Sequence, residues 1–193
     1  MLFRSPSQRP DYLPEELYWL VGVTHEGFAE EKVTQVRNTF GPNMSFRRGV
    51  FQKVGLFNEN LGFARRGTSY MQGEEAEFTL RIKQKLGQGV LYNPKALVYH
   101  KIPPSKVKVK ALLKRAFYQG YSKALLRKLN PSADSIATER AYLKSLLLKY
   151  IPKRLKSFFL GSAHLNALKQ LLVLVASIFS VGLGFLYGYT KRI

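Results

Sequence analysis

The chain has 193 residues with no cysteine, which excludes disulfides, thiolate nucleophiles and cysteine zinc sites and fits a reducing compartment. Its length suits one compact domain plus an appendage, and 46% apolar residues suffice for a core. The net charge of +19 is one-sided: residues 1–100 hold 13 Lys/Arg and 10 Asp/Glu, whereas residues 101–193 hold 18 and 2, so the second half needs a polyanionic partner, nucleic acid or an anionic lipid surface.

The first forty residues read as an irregular lead-in, polar and proline-rich to Pro14, with a short element over 15–23 that half-buries Trp19. MLFRSPSQRP lacks an apolar h-region, so no secretory signal is expected. Residues 26–38 are charged and predict a surface loop. A short strand is predicted over 44–46 and a short helix over 48–54, followed by a turn at Gly55-Leu56-Phe57-Asn58-Glu59. A glycine- and arginine-bearing loop covers 61–71. Phe78, Ile82 and Leu86 share one face of a predicted helix over 75–85, which Gly87 and Gly89 stop. Strands are expected over 90–92 and 96–99 on either side of the Asn93-Pro94 turn.

After His100 the pattern changes. Val109, Leu112, Leu113, Ala116, Phe117, Gly120, Tyr121, Ala124 and Leu125 recur at helical spacing, with Lys108, Lys110, Lys114, Arg115, Lys123, Arg127 and Lys128 largely opposite. A second amphipathic stretch follows Asn130-Pro131, with Leu143, Leu146, Leu147, Tyr150, Ile151, Leu155, Phe158 and Phe159 apolar and Lys144, Lys149, Lys153, Arg154 and Lys156 charged. Basic helices with leucine and aromatic faces suit the bilayer interface. The first of them reads equally as a helix packed on the domain with solvated lysines; the second favours the interface.

Residues 171–189 (LLVLVASIFSVGLGFLYGY) carry no charge between Lys169 and Lys191. At about 1.5 Å per residue they make a helix roughly 28 Å long, close to the hydrocarbon thickness of a bilayer. A membrane-embedded helix is expected rather than a buried core helix, and Gly184 and Gly188 give it a GxxxG packing face. The positive-inside rule then keeps the basic block cytoplasmic. Because the cations interleave with leucine and phenylalanine rather than stacking aromatics, membrane lipid is the expected partner and nucleic acid is not.

The densest chemical signal is Gly73-Glu74-Glu75-Ala76-Glu77-Phe78, followed by Arg81. A glycine before two acids at a helix start places carboxylates where the dipole favours their charged form, and one of them can take a proton as a general base. The order Asn43-Met44-Ser45-Phe46-Arg47-Arg48, Val54-Gly55-Leu56-Phe57-Asn58-Glu59, the acidic motif, Tyr92-Asn93-Pro94, Ala96-Leu97-Val98-Tyr99-His100 and the helix at Arg115 resembles the acceptor half of family 2 glycosyltransferases, over about residues 41–126. Within that family it is similar to membrane-bound enzymes acting on polyprenyl- or dolichyl-phosphate-linked sugars.

The resemblance implies an α/β fold, a partial GT-A domain over 41–129, then interfacial helices over 130–165 and a membrane helix and tail over 166–193. It implies an inverting transfer from a nucleotide-sugar donor, with Mg²⁺ or Mn²⁺, to a lipid-linked acceptor. Glu75 matches the catalytic base, with Glu74 as the alternative. Glu77, Arg81 and Asn43 match orienting positions, His100 a metal-proximal histidine, and Lys101, Lys106 and Arg115 cations for the leaving diphosphate. No Asp-x-Asp occurs, Asp11 and Asp134 being the two aspartates, and no βαβ unit precedes Gly41. The donor-binding half is therefore expected on a separate chain, or the sequence is a truncated product or remnant. The alternative function is a non-catalytic membrane-surface scaffold.

Overall fold

The computed structural model describes residues 2–4, 9–29, 32–59, 61–62, 72–131 and 137–191. Most of the glycine- and arginine-bearing loop, 63–71, lies outside them, as does Asp134. Among the described residues the chain is mainly helical. After β1 (Leu2–Arg4) come a 3₁₀ helix (Glu15–Val21), β2 (Thr34–Val36), a 3₁₀ turn (Gly41–Asn43), α1 (Arg48–Val54) and α2 (Glu74–Leu86). β3 (Val90–Tyr92), β4 (Tyr99–Lys101), α3 (Pro104–Val107) and α4 (Val109–Leu129) follow. The chain ends with α5 (Ala137–Ser145), a π-helical turn (Leu146–Tyr150), α6 (Ile151–Leu160) and α7 (His164–Thr190).

The α/β expectation is met only in part. Each strand has three residues, and they pair as two separate ribbons: β1 parallel to β4, and β2 antiparallel to β3 with Thr34 opposite Tyr92. The strand predicted at 44–46 is absent: Met44 is extended (φ −142°, ψ 151°) but no neighbouring strand pairs with it. The loop predicted over 26–38 contains β2, and the strand predicted over 96–99 begins only at Tyr99.

The helices α1 and α2 begin and end where local chemistry dictates. Gly55 stops α1, its N–H bonding to Phe51 O at 2.8 Å. Gly73 (φ +115°) opens α2, three acids occupy its first turn, and Gly87 (φ +67°) closes it behind Lys83 and Lys85. Phe78 and Ile82 bury the inner face of α2 against Val54, Phe46, Phe51 and Phe57.

The main core lies elsewhere. Leu13, Leu17, Leu20, Val21 and Val23 of the expected lead-in pack with Ile102, Val107, Leu112, Ala116, Leu146, Tyr150, Val173 and Leu174. Polar bonds stitch this segment to the C-terminal helices. The Arg154 guanidinium donates to both carboxylate oxygens of Glu16 at 3.1 and 2.6 Å, and Glu16 is 0% exposed. Trp19 Nε1 donates to Tyr142 Oη, which donates to Glu16 O. The π-helical turn thus sends Leu146 and Tyr150 inward, while Leu147, Leu148, Phe159 and Leu160 stay exposed beside Lys144, Lys149 and Lys156.

For the first basic helix the packed reading holds. α4 and α7 run parallel in backbone contact: an added Cβ on Gly120 would lie 1.9 Å from Val181 O, and one on Gly184 1.8 Å from Phe117 O. Gly188 meets Tyr121 and Ala124 in the same way, and Ser180 Oγ donates to Leu113 O at 2.7 Å. The GxxxG face is therefore used, against a helix of the same chain. Helix α7, 27 residues and about 40 Å long, is long and apolar enough to cross a membrane. Its outward side exposes Leu172, Phe179, Leu183 and Leu186.

Candidate functional site

The start of α2 lies against the middle of α4. Ser122 Oγ accepts the Gln72 N–H at 3.1 Å, and Gln119 Nε2 donates to Gln72 Oε1 at 2.8 Å. Gly73 permits this approach, since an added Cβ would stand 3.4 Å from Ser122 Cβ in a backbone that L-residues rarely adopt. The two acids that follow point to different surroundings.

Glu74 lies under Gly62, whose added Cβ would come within 2.9 Å of its carboxyl carbon. Its Oε2 is buried and has no hydrogen-bond partner among the described residues. Burial, and then the charge of Glu75, push its carboxyl above the ordinary range. Glu75 Oε1 lies beneath the 3₁₀ turn, 2.9 Å from where a Cβ on Gly41 would be. It interacts electrostatically with Lys123 of α4.

Lys123 is not one of the solvated or lipid-facing lysines that the helical pattern predicted. Its side chain is 13% exposed and its Nζ sits 2.7 Å from Glu139 Oε1 of α5. Arg37, just after β2, grips both oxygens of Glu139, with Nη1 to Oε2 at 2.6 Å. Burial alone would raise the Glu139 carboxyl, but Lys123 and Arg37 override it and hold it down at about 2. Burial pushes the Lys123 ammonium down, against the pull of Glu139. Arg37, Lys123 and Glu139 were absent from the predicted site. A signal existed for Glu139: it is one of two acids among 18 Lys/Arg after residue 100.

Glu77 and Arg81 form a clamp one turn further along α2. Glu77 is buried, and Arg81 meets it through Nε at 2.6 Å and Nη2 at 2.8 Å. The same guanidinium donates to Val54 O and Leu56 O, closing the end of α1, and lies over the Phe78 ring at 5.3 Å. These two side chains fix the angle at which α2 leaves α1.

The structure places His100 and Arg115 around the end of the first 3₁₀ helix, not beside the acidic pair. Arg115 Nη1 donates to Leu20 O at 2.6 Å, and His100 Nδ1 donates to Gly22 O at 3.1 Å. Lys106 is close enough to Arg115 that burial and this like charge lower its ammonium pKa. Lys101 is exposed on β4. The bond to Gly22 leaves the His100 lone pair on Nε2, the arrangement of a metal-binding imidazole. Yet no three His, Asp or Glu side chains gather as a divalent-ion site requires among the described residues. These residues do not by themselves fit a metal.

Asn43 ends the turn over Glu75 and donates its amide to Ala96 O at 2.8 Å. It also lines a cavity of about 340 Å³ between that turn and the β2–β3 ribbon. The acidic pair, the cation beside it and the adjoining cavity have the parts of a group-transfer site acting on a hydroxyl.

No family model matches the chain, and no solved structure matches it. Among curated proteins, the glucosyl-dolichyl phosphate glucuronosyltransferase of Haloferax volcanii is 39% identical over 182 residues. The aligned region is 94% of this chain and 56% of the relative, so the chain spans about half of that protein's length. The chain is thus related by sequence to a transferase of dolichyl-phosphate-linked sugars, as its motifs indicated.

Proposed function

We propose that this chain is the acceptor-side part of a membrane-associated family 2 glycosyltransferase with a partial GT-A fold. It would transfer a sugar from a nucleotide-sugar to a lipid-linked sugar with inversion. The observation that carries this reading is the Glu74–Glu75 pair at the start of α2, under the 41–43 turn and beside Lys123. In the proposed step, Glu75 takes the proton of an acceptor hydroxyl. The freed oxygen attacks the anomeric carbon of the donor, and the bond from that carbon to the nucleotide diphosphate breaks, the electron pair leaving with the diphosphate. Burial and the charge of Glu75 raise the Glu74 carboxyl, so of the two acids Glu75 is the one assigned the base.

Lys123 of α4 supplies a cation that interacts electrostatically with Glu75. Glu139 and Arg37 hold that cation in place. Glu77, Arg81 and Asn43 orient the helix and turn that frame the pair. Lys101, Lys106 and Arg115, which the resemblance implies for the leaving diphosphate, lie apart from the pair and take no part in this step. Mg²⁺ or Mn²⁺ and a nucleotide-sugar are expected of the whole transferase, and the described residues, His100 included, do not by themselves fit the metal. Membrane attachment through α7, with the basic helices on the cytoplasmic face, is supported by the exposed apolar side of α7 and by the cations of α5 and α6.

The test is Glu75→Gln in the reconstituted full-length enzyme. Loss of a general base lowers turnover by about 10²- to 10⁴-fold, with the folded state intact because Gln keeps the shape. Turnover near wild type would remove Glu75 from the mechanism.

A further inference from the structure

Helix α7 has two unlike sides. Leu165, Leu172, Phe179 and Leu186 recur every seven residues and, with Leu183, are 61 to 69% exposed. No charge occurs between Lys169 and Lys191. The opposite side is covered along the helix, with Ala167, Val173, Leu174, Ser177, Gly184 and Gly188 buried. An apolar helix at a bilayer interface normally keeps its second face charged; here packed protein takes the place of that face. The exposed side continues past the 161–163 turn onto α6, where Phe159 and Leu160 are 70% and 77% exposed and Lys156 is exposed on the same helix.

Length alone would let α7 cross a bilayer, but its packing would carry ions to every depth. Ser180, three residues past the midpoint of α7, donates to Leu113 O of α4. Lys114, which is exposed, and Arg115 follow directly. A spanning α7 would hold both near the bilayer centre, where charge is costly. Toward the start of α7, Gln170 accepts from Arg154, the partner of buried Glu16, and Lys169 pairs with Asp11. Across α4 lie the acidic pair and the Arg37–Glu139–Lys123 cluster, which would be brought to bilayer depth too. Laid lengthwise along one leaflet, α7 puts its leucine side in lipid and leaves all of these groups on the protein side.

We infer that α7 does not span but lies in the plane of one leaflet, its Leu165–Leu186 side seated among acyl chains and Lys144, Lys149 and Lys156 meeting anionic headgroups. Charge selects this occupant: residues 101–193 carry 18 Lys/Arg against 2 acids, which an anionic leaflet attracts and a second copy of the chain repels. The inference deepens the proposed membrane attachment and rests on it. It also sets where transfer takes place. Helix α4 stands between α7 and the start of α2, and packed helices lie roughly 8–10 Å apart, so the acidic pair stands outside the hydrocarbon.

The chain has no cysteine, so a nitroxide on Leu165→Cys, Leu172→Cys, Phe179→Cys or Leu186→Cys reports a single position. Each variant of the whole chain is bound to mixed phosphatidylcholine–phosphatidylglycerol vesicles, and depth is read from the ratio of oxygen to nickel-chelate accessibility. The four sites cover about 31 Å of helix. In-plane seating predicts one depth for all four, about 5–10 Å below the headgroups. All four side chains are exposed, so no label opens the core, and unchanged Trp19 emission checks the fold of each variant. A profile deepest at Leu172 and Phe179 and shallow at both ends would show a spanning helix, overturning the in-plane seating while leaving membrane attachment intact. Nickel-chelate access at all four sites would remove the lipid face and the attachment with it. Spin–spin broadening that disappears on dilution with unlabelled chain would give the face to a second copy and overturn the inference equally.

Discussion

Alanine at Gly120 or Gly184 would force α4 and α7 apart. The added methyl carbon would stand 1.9 Å from Val181 O in the first case and 1.8 Å from Phe117 O in the second. Ordinary contact begins near 3.4 Å, so the backbones must separate by about 1.5 Å. Alanine has no rotamer to relieve this, and the obstacle is main chain. Separation would stretch the Ser180–Leu113 hydrogen bond from 2.7 Å and loosen the Tyr187 ring from Phe117 and Tyr121. Overpacking costs about 1–3 kcal/mol and a lost hydrogen bond about 1 kcal/mol, so each variant should lose about 2–4 kcal/mol. Once the helices have parted, the second methyl fits the same gap, and the double variant should be little worse than either single one. Urea unfolding followed by Trp19 emission reads this out. Trp19 is the sole tryptophan and is packed against the core that includes Val173 and Leu174 of α7. Two single variants within about 0.5 kcal/mol of wild type, or a double variant equal to their sum, would refute the backbone contact.

Arg154→Leu strands Glu16, 0% exposed, without its charged partner and should cost about 3–5 kcal/mol; adding Glu16→Leu should restore much of it, as thermal melts will show. Glu139 has a folded pKa of about 2, below the ordinary 4.5, so its contribution is full above about pH 5 and is lost as pH falls toward 2. That contribution is at most on the order of 3 kcal/mol, and Glu139→Gln should flatten the acid limb of stability against pH; an unchanged limb would count against the triad. The lowered pKa of Lys123 acts in the alkaline range instead, where stability rises with pH up to its unfolded value. Lys144, Lys149 and Lys156 are exposed, and attraction to an anionic leaflet is worth about 1 kcal/mol per lysine. Hydrogen exchange in α6 should therefore slow in anionic relative to neutral bilayers, and replacing all three by Gln should abolish the difference.

Where the sequence was legible, the information was local. The span of α1, the glycine stops of α2 and the long apolar α7 follow from capping residues and hydrophobic run length, and the acidic motif marks itself. What escaped was non-local. Nothing in the polar, proline-rich start announces that Leu13, Leu17 and Leu20 form the hub of the core, because their partners after residue 100 lie about eighty to one hundred and sixty residues away. Lys123 sat among cations of helical spacing, and only the tertiary fold shows Glu139 and Arg37 converging on it. The predicted diphosphate group failed to join the acidic pair for the same reason: helical spacing places Arg115 and Lys123 on one helix but does not say which elements each will meet.

That division makes α4 the shared wall of the molecule. Gln119, Ser122 and Lys123 face the start of α2, whereas Phe117, Gly120, Tyr121 and Ala124 face α7. At the far end, Lys128 Nζ binds Gly188 O and Tyr189 O at 3.0 and 2.9 Å, closing the last turn of α7 on α4. A helix in backbone contact along this length has little freedom to slide, since the glycine notches fix its register. Under the proposed membrane placement, the height of the acidic pair above the bilayer is then set by the α4–α7 seam. A lipid-linked acceptor reaches the base only if its sugar stands at that height. Loosening the seam should therefore impair transfer to a lipid-linked acceptor more than transfer to a soluble glycoside, since a soluble acceptor has no fixed height to match. Gly184→Ala assayed with both acceptors tests this, and equal losses would show that the seam serves stability alone.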